Sequence, residues 1–458
     1  MTIRYRFENS LYENVGDKGL KYDDILSYAK ENLERHHKDL LEKRKNKTLG
    51  FFDLPYDKEL VNKINELKKK YINIKNVVVI GIGGSSLGNI TLNDAINGVY
   101  HNDRDTGLPK IYFADNVDPE KMAHLLEILD PKETVFNVIT KSGSTAETMT
   151  NFMVLYDFLQ ENAPEKIKEN LIITTDKENG NLVKIAAKLG LDTFVVPYNV
   201  GGRFSVLSSV GLVPAALTGV DIEKLLQGAA DMDKICSVCD IEKNPAYMAA
   251  LIHYLLYRDK DVNINVLMPY ADNLASLSDW FRQLWAESLG KIDNKGKNVG
   301  ITPAKSVGAI DQHSQVQLYI EGPFDKLITF IEVEKFRNTV KIPEVFTEIK
   351  GLNYLCGQTL DTLINNEKKA TEIALTSENR PNTSIIVPVI DEYHVGQLFY
   401  MLEVMTAFAG ELFNIDAFDQ PGVEAGKVAT YALMGREGYE SKRKEIEKEL
   451  KNKKQREM

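Results

Sequence analysis

The chain has 458 residues, 43% of them hydrophobic and 27% charged, and carries a formal net charge of -10. That length buries a large core in two or three structural units, and the composition excludes a disordered or collagen-like chain. The acidic balance excludes general binding to nucleic acid or acidic membranes, because displacing counterions from phosphates needs a basic surface; only local basic pockets remain open.

Three cysteines, Cys236, Cys239 and Cys356, are too few and odd in number for a disulfide framework and point to a reducing compartment. The CxxC pair has no second CxxC or HxxxH to complete a zinc site, so its segment, GAADMDKICSVCD, reads as structural helix. The polar N-terminus lacks the parts of a secretory signal, and no apolar run reaches the roughly 20 residues that span a bilayer. The expectation is a cytoplasmic protein.

In chain order, residues 1–72 are rich in Lys, Glu, Asn and Tyr with helical periodicity, which predicts a helical N-terminal extension. Over 73–220 the β-branched runs NVVVIGI, KIYFAD, TVFNVIT, NLIITT and DTFVV alternate with amphipathic stretches, the pattern of a doubly wound parallel sheet. A mostly helical region at 206–258 follows. Then VNINVLMPY, DKLITFIEV and NTSIIVPVI, separated by helical patterns at 272–292, 353–376 and 393–413, predict a second α/β unit over 221–415. Residues 416–458 read as a C-terminal helical segment whose tail is charged all round.

The first strand runs into GIGGSSLG, Gly81 to Gly88, where glycines admit a ligand to the backbone and a following helix favours an anion. A dinucleotide site is the rival, with Asp115 as ribose ligand. Against it, Ser86 stands where the third glycine belongs and Asp115 lies beyond the usual spacing of ~20 residues. The third strand ends in TKSGSTAET, where Ser142, Ser144 and Thr145 cluster beside Lys141 at a helix start. Such hydroxyls, placed beyond the carboxyl ends of parallel strands, suit a phosphate; helix capping accounts for one or two of them. No GxxxxGK[ST] element supports nucleotide hydrolysis.

Further on, NVGGRFSVLSSVGL sets Arg203 on a glycine-prepared turn, and WFRQLWAESLGK places Gln283 and Glu287 four positions apart on one helical face. A lone Glu in such a position is more often mere helix surface.

Taken together, NVGGRFSVLSSVG and LFNIDAFDQPGVEAGK resemble the two signature segments of the glucose-6-phosphate isomerase family. The resemblance extends through GIGGSSLG, KSGSTAET, WAESLGK and DQHSQVQLY, over residues 76–434. It implies an α/β fold of two sugar-isomerase domains, each a parallel-sheet α/β/α sandwich, with helical extensions at both termini, assembled as a homodimer or higher homo-oligomer. It implies isomerisation of a hexose 6-phosphate with no cofactor and no metal. By position, Glu287 matches the base that shuttles a proton between C2 and C1, and His313 the ring-opening histidine, which the family also draws from a neighbouring subunit. Lys427 matches the lysine assisting ring opening, and Arg203 the arginine that steadies the enediolate. Gln283 and Gln420 match sugar-hydroxyl contacts, Ser85 with its neighbour Gly84 and Ser142, Ser144 and Thr145 match phosphate contacts, and Lys141 and Glu147 fall in the same matched loop. Leu289 and Gly143 depart from some members and bear on pocket shape. The chemistry agrees: a histidine titrating near neutrality can open a hemiacetal, and a carboxylate of ordinary pKa ~4.3 is ready ionised as a base at pH 7. A non-catalytic sugar-phosphate sensor on the same fold remains the alternative; it would not need Glu287, His313 and Lys427 together.

Overall fold

The computed structural model describes residues 2–452. Two five-stranded sheets organise it. In the first, the strands Lys110–Ala114, Asn76–Ile80, Thr134–Ile139, Leu171–Thr175 and Asp192–Val195 lie side by side in that order, all parallel. Each predicted run forms its strand. After Asn76 the run VVVI is apolar because both faces are covered: Val77 and Val79 face the main core, while Val78 and Ile80 face an outer cluster with Phe136, Val138 and Ile173.

The second sheet runs Arg4–Arg6, Asn382–Val389, Lys326–Lys335, Ile264–Pro269 and Thr302–Lys305. Its last four strands are parallel, and the first lies antiparallel along its edge. Two of these strands were not expected. Arg4–Arg6 lies in the stretch read as helical extension, and three residues carry no periodicity to detect; Thr302–Lys305 contains Pro303, tolerated because this strand is the free edge.

One apolar cluster joins the inner faces of both sheets. Its centre is the helix Glu392–Phe413, apolar nearly all round and buried along its length, as such a helix must be. The N-terminal helix Tyr22–Lys45 is tied to this core by Arg44, whose guanidinium donates to both Asp233 carboxylate oxygens at 2.8 and 3.0 Å; Tyr56 and Tyr400 donate to the same carboxylate. Burial pushes Asp233 upward, but these donors outweigh it and hold the group below its ordinary value. Cys236 ends the helix Ile222–Cys236, buried, with Cys239 just beyond it and exposed. The C-terminal segment forms helices Glu424–Leu433 and Glu440–Asn452; the last six positions of the charged tail lie outside the described residues. Among the described residues no helix is long and apolar enough to cross a membrane.

Candidate active site

In the first sheet the chain starts at Asn76–Ile80, steps to one side, then returns to build Thr134–Ile139 and the rest on the other. The crevice at that reversal, outside the carboxyl ends of the strands, is where open α/β sheets take ligands. It is bordered by the two loops singled out above, Gly81–Gly88 and Lys141–Thr145. Thr145 begins the helix Ala146–Asn162 without a side-chain bond to it, so capping does not explain the cluster. Instead the hydroxyls bond one another: Thr145 Oγ1 lies 3.1 Å from Thr140 Oγ1 and 3.4 Å from Ser142 Oγ, and Ser144 Oγ donates to Ser142 Oγ at 3.2 Å. Gly143 has φ +60, and a β-carbon there would come within 2.8 Å of the Asn181 nitrogen, so this chain has neither conformation nor room for a larger residue.

Lys141 does not point its ammonium freely into the crevice. It donates to the carbonyls of Tyr198 at 2.6 Å and Val200 at 2.9 Å, fastening the serine loop to the segment that leads into Arg203, and burial lowers its pKa. Glu147 is half-buried in the first helical turn, and Ser85 is half-buried in the turn before the helix Leu87–Leu92.

The glycines of the first loop turn out to serve packing. A β-carbon at Gly84 would sit 2.2 Å from the Gly202 carbonyl oxygen, and one at Gly83 would sit 3.0 Å from Gln283 Nε2. The loop is thereby pressed against both the Arg203 turn and the helix Ala275–Leu289. Asp115, the ribose ligand of the dinucleotide reading, is paired with Lys121 at 2.5 Å.

Arg203 is buried, and its guanidinium is fully engaged. Nη1 meets Glu287 Oε1 at 3.1 Å, Nε donates to Ser288 Oγ at 2.7 Å, and Nη2 donates to the carbonyls of Ala417 and Asp419 at 2.6 and 3.0 Å. Burial lowers its pKa while Glu287, Asp419 and Asp416 counter, so this ordinarily permanent cation stays charged. Gln283 Nε2 donates to the other Glu287 oxygen at 3.0 Å, as the four-residue spacing predicts. Glu287 is not helix surface: its side chain is 22% exposed, opening into a cavity of about 1130 Å³ lined also by Gln283, Lys291, Asp419 and Gln420.

The remaining expected residues are not gathered there. Lys427 stands exposed on the helix Glu424–Leu433, paired with Glu424 at 2.8 Å, although the same helix reaches the serine loop through Tyr431, whose hydroxyl donates to the Ser144 carbonyl at 3.5 Å. His313 is exposed on the turn Ile310–His313 beyond the second sheet. Its neighbour Gln312 accepts from Tyr270, part of the cluster on the sheet's outer face, whereas the Glu287 helix packs in the main core. Lys305, at the end of the strand leading to that turn, pairs with Asp279 at 2.6 Å, about 12 Å along the helix from Glu287 at 1.5 Å rise per residue. His313 is not among the residues that line the Glu287 cavity. Sequence reasoning passed over Ser288, Lys291 and Asp419; a lysine just past the glycine that ends a helix was the available signal.

A two-sheet α/β body with a hydroxyl-lined crevice at one strand reversal, and an Arg–Glu pair whose carboxylate opens into a cavity, has the architecture of an open-sheet α/β ligand-binding protein. The sequence profile of the phosphoglucose isomerase family matches residues 58–447, and the chain belongs to that family. A glucose-6-phosphate isomerase of Carboxydothermus hydrogenoformans is 47% identical, with 97% of each chain covered. One from Methanocaldococcus jannaschii is 40% identical, covering 94% of this chain and 99% of that one. Among solved structures, that of a hypothetical protein from Thermus thermophilus superposes with a TM-score of 0.86 at 36% identity, over 95% of this chain and 100% of that one. A Chlamydia trachomatis glucose-6-phosphate isomerase shares the fold with a TM-score of 0.73 at 23% identity, over 82% of this chain and 73% of that one.

Proposed function

We propose that this chain is an aldose–ketose isomerase that interconverts glucose 6-phosphate and fructose 6-phosphate in the cytoplasm, as a homodimer or higher homo-oligomer. The observation that carries the reading is the Glu287 carboxylate, held between Arg203 and Gln283 at the wall of a cavity that the Gly81–Gly88 loop reaches through Leu87. The phosphate lies in the crevice against Ser142, Ser144 and Thr145 with Ser85 and Gly84 opposite, while Gln283 and Gln420 take sugar hydroxyls. Lys141 and Glu147 shape the loop.

His313 and Lys427 open the ring by giving a proton to the ring oxygen and taking one from the hydroxyl. Glu287 then removes the proton from C2 of the open chain, charge develops on the C1 oxygen, and Arg203 stabilises the resulting enediolate. A proton passes from the C2 hydroxyl to the C1 oxygen, and return of the carbon-bound proton to C1 then gives the ketose, with C2 as its carbonyl carbon. A preorganised cation in a site shielded from water is worth far more than one in solvent, which suits the buried, fully bonded Arg203. His313, exposed and outside the lining of the Glu287 cavity, suits a residue contributed by a neighbouring subunit.

Purified protein supplied with fructose 6-phosphate alone, the reaction then stopped and its glucose 6-phosphate measured separately, is expected to turn over without added metal or nucleotide. Absence of product at millimolar substrate would overturn the reading.

A further inference from the structure

Just beyond the helix that carries Glu287, Lys291 is a half-buried lysine at the cavity wall whose side chain is only 8% exposed. Its ammonium donates to the last-turn carbonyls of Glu287 at 2.8 Å and Ser288 at 3.0 Å, and lies 3.4 Å from the Asp419 carboxylate. These are the carbonyls that a helix end leaves without partners, and a cation there also meets the negative end of the helix dipole. Asp419 precedes Gln420 in the loop whose carbonyls at 417 and 419 hold Arg203. Ser288 is thus gripped from two sides, its hydroxyl by Arg203 and its carbonyl by Lys291.

Burying an ammonium beside a guanidinium is costly, and the cost needs a return. Burial and the nearby Arg203 charge together lower the Lys291 pKa, with Asp419 and Asp416 opposing. A methylene chain alone would pack as well, and water could cap an exposed helix end. What the ammonium adds is a rigid tie between two segments that must keep register: the helix end bearing Glu287 and the loop bearing Gln420.

We infer that Lys291 is a positioning residue for the isomerisation, locking the last turn of the Glu287 helix to the 417–420 loop so that the carboxylate and the sugar-binding Gln420 keep a fixed separation. The inference rests on the function proposed above. A misplacement of about 1 Å in a reacting group can cost on the order of a hundredfold in rate, so the effect falls on kcat more than on substrate binding.

The test compares Lys291→Met, which keeps the stem and removes the charge, with Lys291→Arg, which keeps a donor cation. For Lys291→Met the expected result is a kcat lowered about ten- to a hundredfold with KM within about threefold, and for Lys291→Arg recovery to within about fivefold of the parent. A purely structural role would lower the unfolding midpoint and the folded yield without that split. A Lys291→Met enzyme with kcat within about twofold of the parent, or a loss that Lys291→Arg leaves unrecovered, overturns the inference. If Lys291→Met does not fold, Asp419→Asn carries the test, since it keeps the helix cap and cuts only the tie to the loop. A kcat loss of about three- to tenfold at unchanged KM supports the inference, and an unchanged kcat refutes it. An inactive parent would instead defeat the functional reading itself. An active parent with Glu287→Gln inactive and Lys291→Met unaffected would defeat the positioning role alone.

Discussion

Arg203 and Lys427 are both cations matched to the same site, and the molecule treats them in opposite ways. Arg203 is 3% exposed, with every nitrogen bonded to Glu287, Ser288 or the 417–419 loop; Lys427 is 46% exposed and pairs with Glu424, one helical turn away. The same division separates Glu287 and Gln283, bonded to each other at the cavity wall, from His313, which is exposed and outside that lining. The seam around Arg203 is thus built in advance, whereas the two groups proposed to open the ring form an exposed rim outside it, which substrate, movement of the C-terminal helix or a second subunit would bring into play. The step that develops charge needs fixed dipoles; ring opening needs only a proton donor and acceptor within reach.

The sharpest way to break this comparison is to disturb the seam. Arg203→Met leaves Glu287 and two carbonyls without their donor. It is expected to lower kcat by about a thousandfold or more and to lower the unfolding midpoint as well, because removing one partner of a buried pair strands the other. Steady-state kinetics beside thermal unfolding would check both; a loss of rate no greater than that of Lys427→Ala would erase the distinction between seam and rim.

His313→Ala probes the rim. Its kcat should fall about a hundredfold, within the range for losing a general acid, with no change in thermal stability. If the histidine crosses to a second subunit, mixing His313→Ala with Glu287→Gln protein and allowing subunit exchange should restore part of the activity, since one mixed site would be intact. Mixtures no more active than their components would return His313 to its own chain.

A smaller effect is expected at the serine loop. Ser142→Ala with Thr145→Ala removes phosphate hydrogen bonds made in ground and transition states alike, so KM should rise about tenfold while kcat stays within about threefold. A fall in kcat alone would place the phosphate elsewhere.

The smallest effect concerns the packed interior away from the cleft. Burial, with help from Arg35, pushes His36 down to about 4, and its ring packs edge-on against Phe408. As pH falls from about 6.5 toward 4, the unfolded chain takes up a proton that the folded chain refuses, so stability drops across that window and is insensitive to this group above it. His36→Gln should show a smaller decline of the unfolding midpoint between pH 7 and 5 than the parent; an equal decline would assign the acid sensitivity to other groups.

Much of the architecture was legible in the sequence because its strands are buried on both faces and read as short runs rich in β-branched residues, as NVVVI and NLIITT do. The edge strands were not: Arg4–Arg6 is too short for a period and Thr302–Lys305 carries a proline. Within the site, the four-residue spacing of Gln283 and Glu287 foretold their bond, since helix geometry fixes it locally. Lys141 was legible as a member of the loop but not in its direction, because its carbonyl partners come from 198 and 200, far along the chain. Gly84 was read as an opening for ligand; that it also leaves room for Gly202 could not be read, because only tertiary packing creates the contact.

The central claim is that the Glu287 carboxylate moves the carbon-bound proton. It is tested most directly by following exchange of the C2 hydrogen of glucose 6-phosphate with deuterated solvent by proton NMR, in the parent and in Glu287→Gln. The account predicts exchange in the parent and none above background in the variant, with binding of a non-isomerisable sugar phosphate retained within a few-fold. Exchange in Glu287→Gln at the parental rate would contradict it.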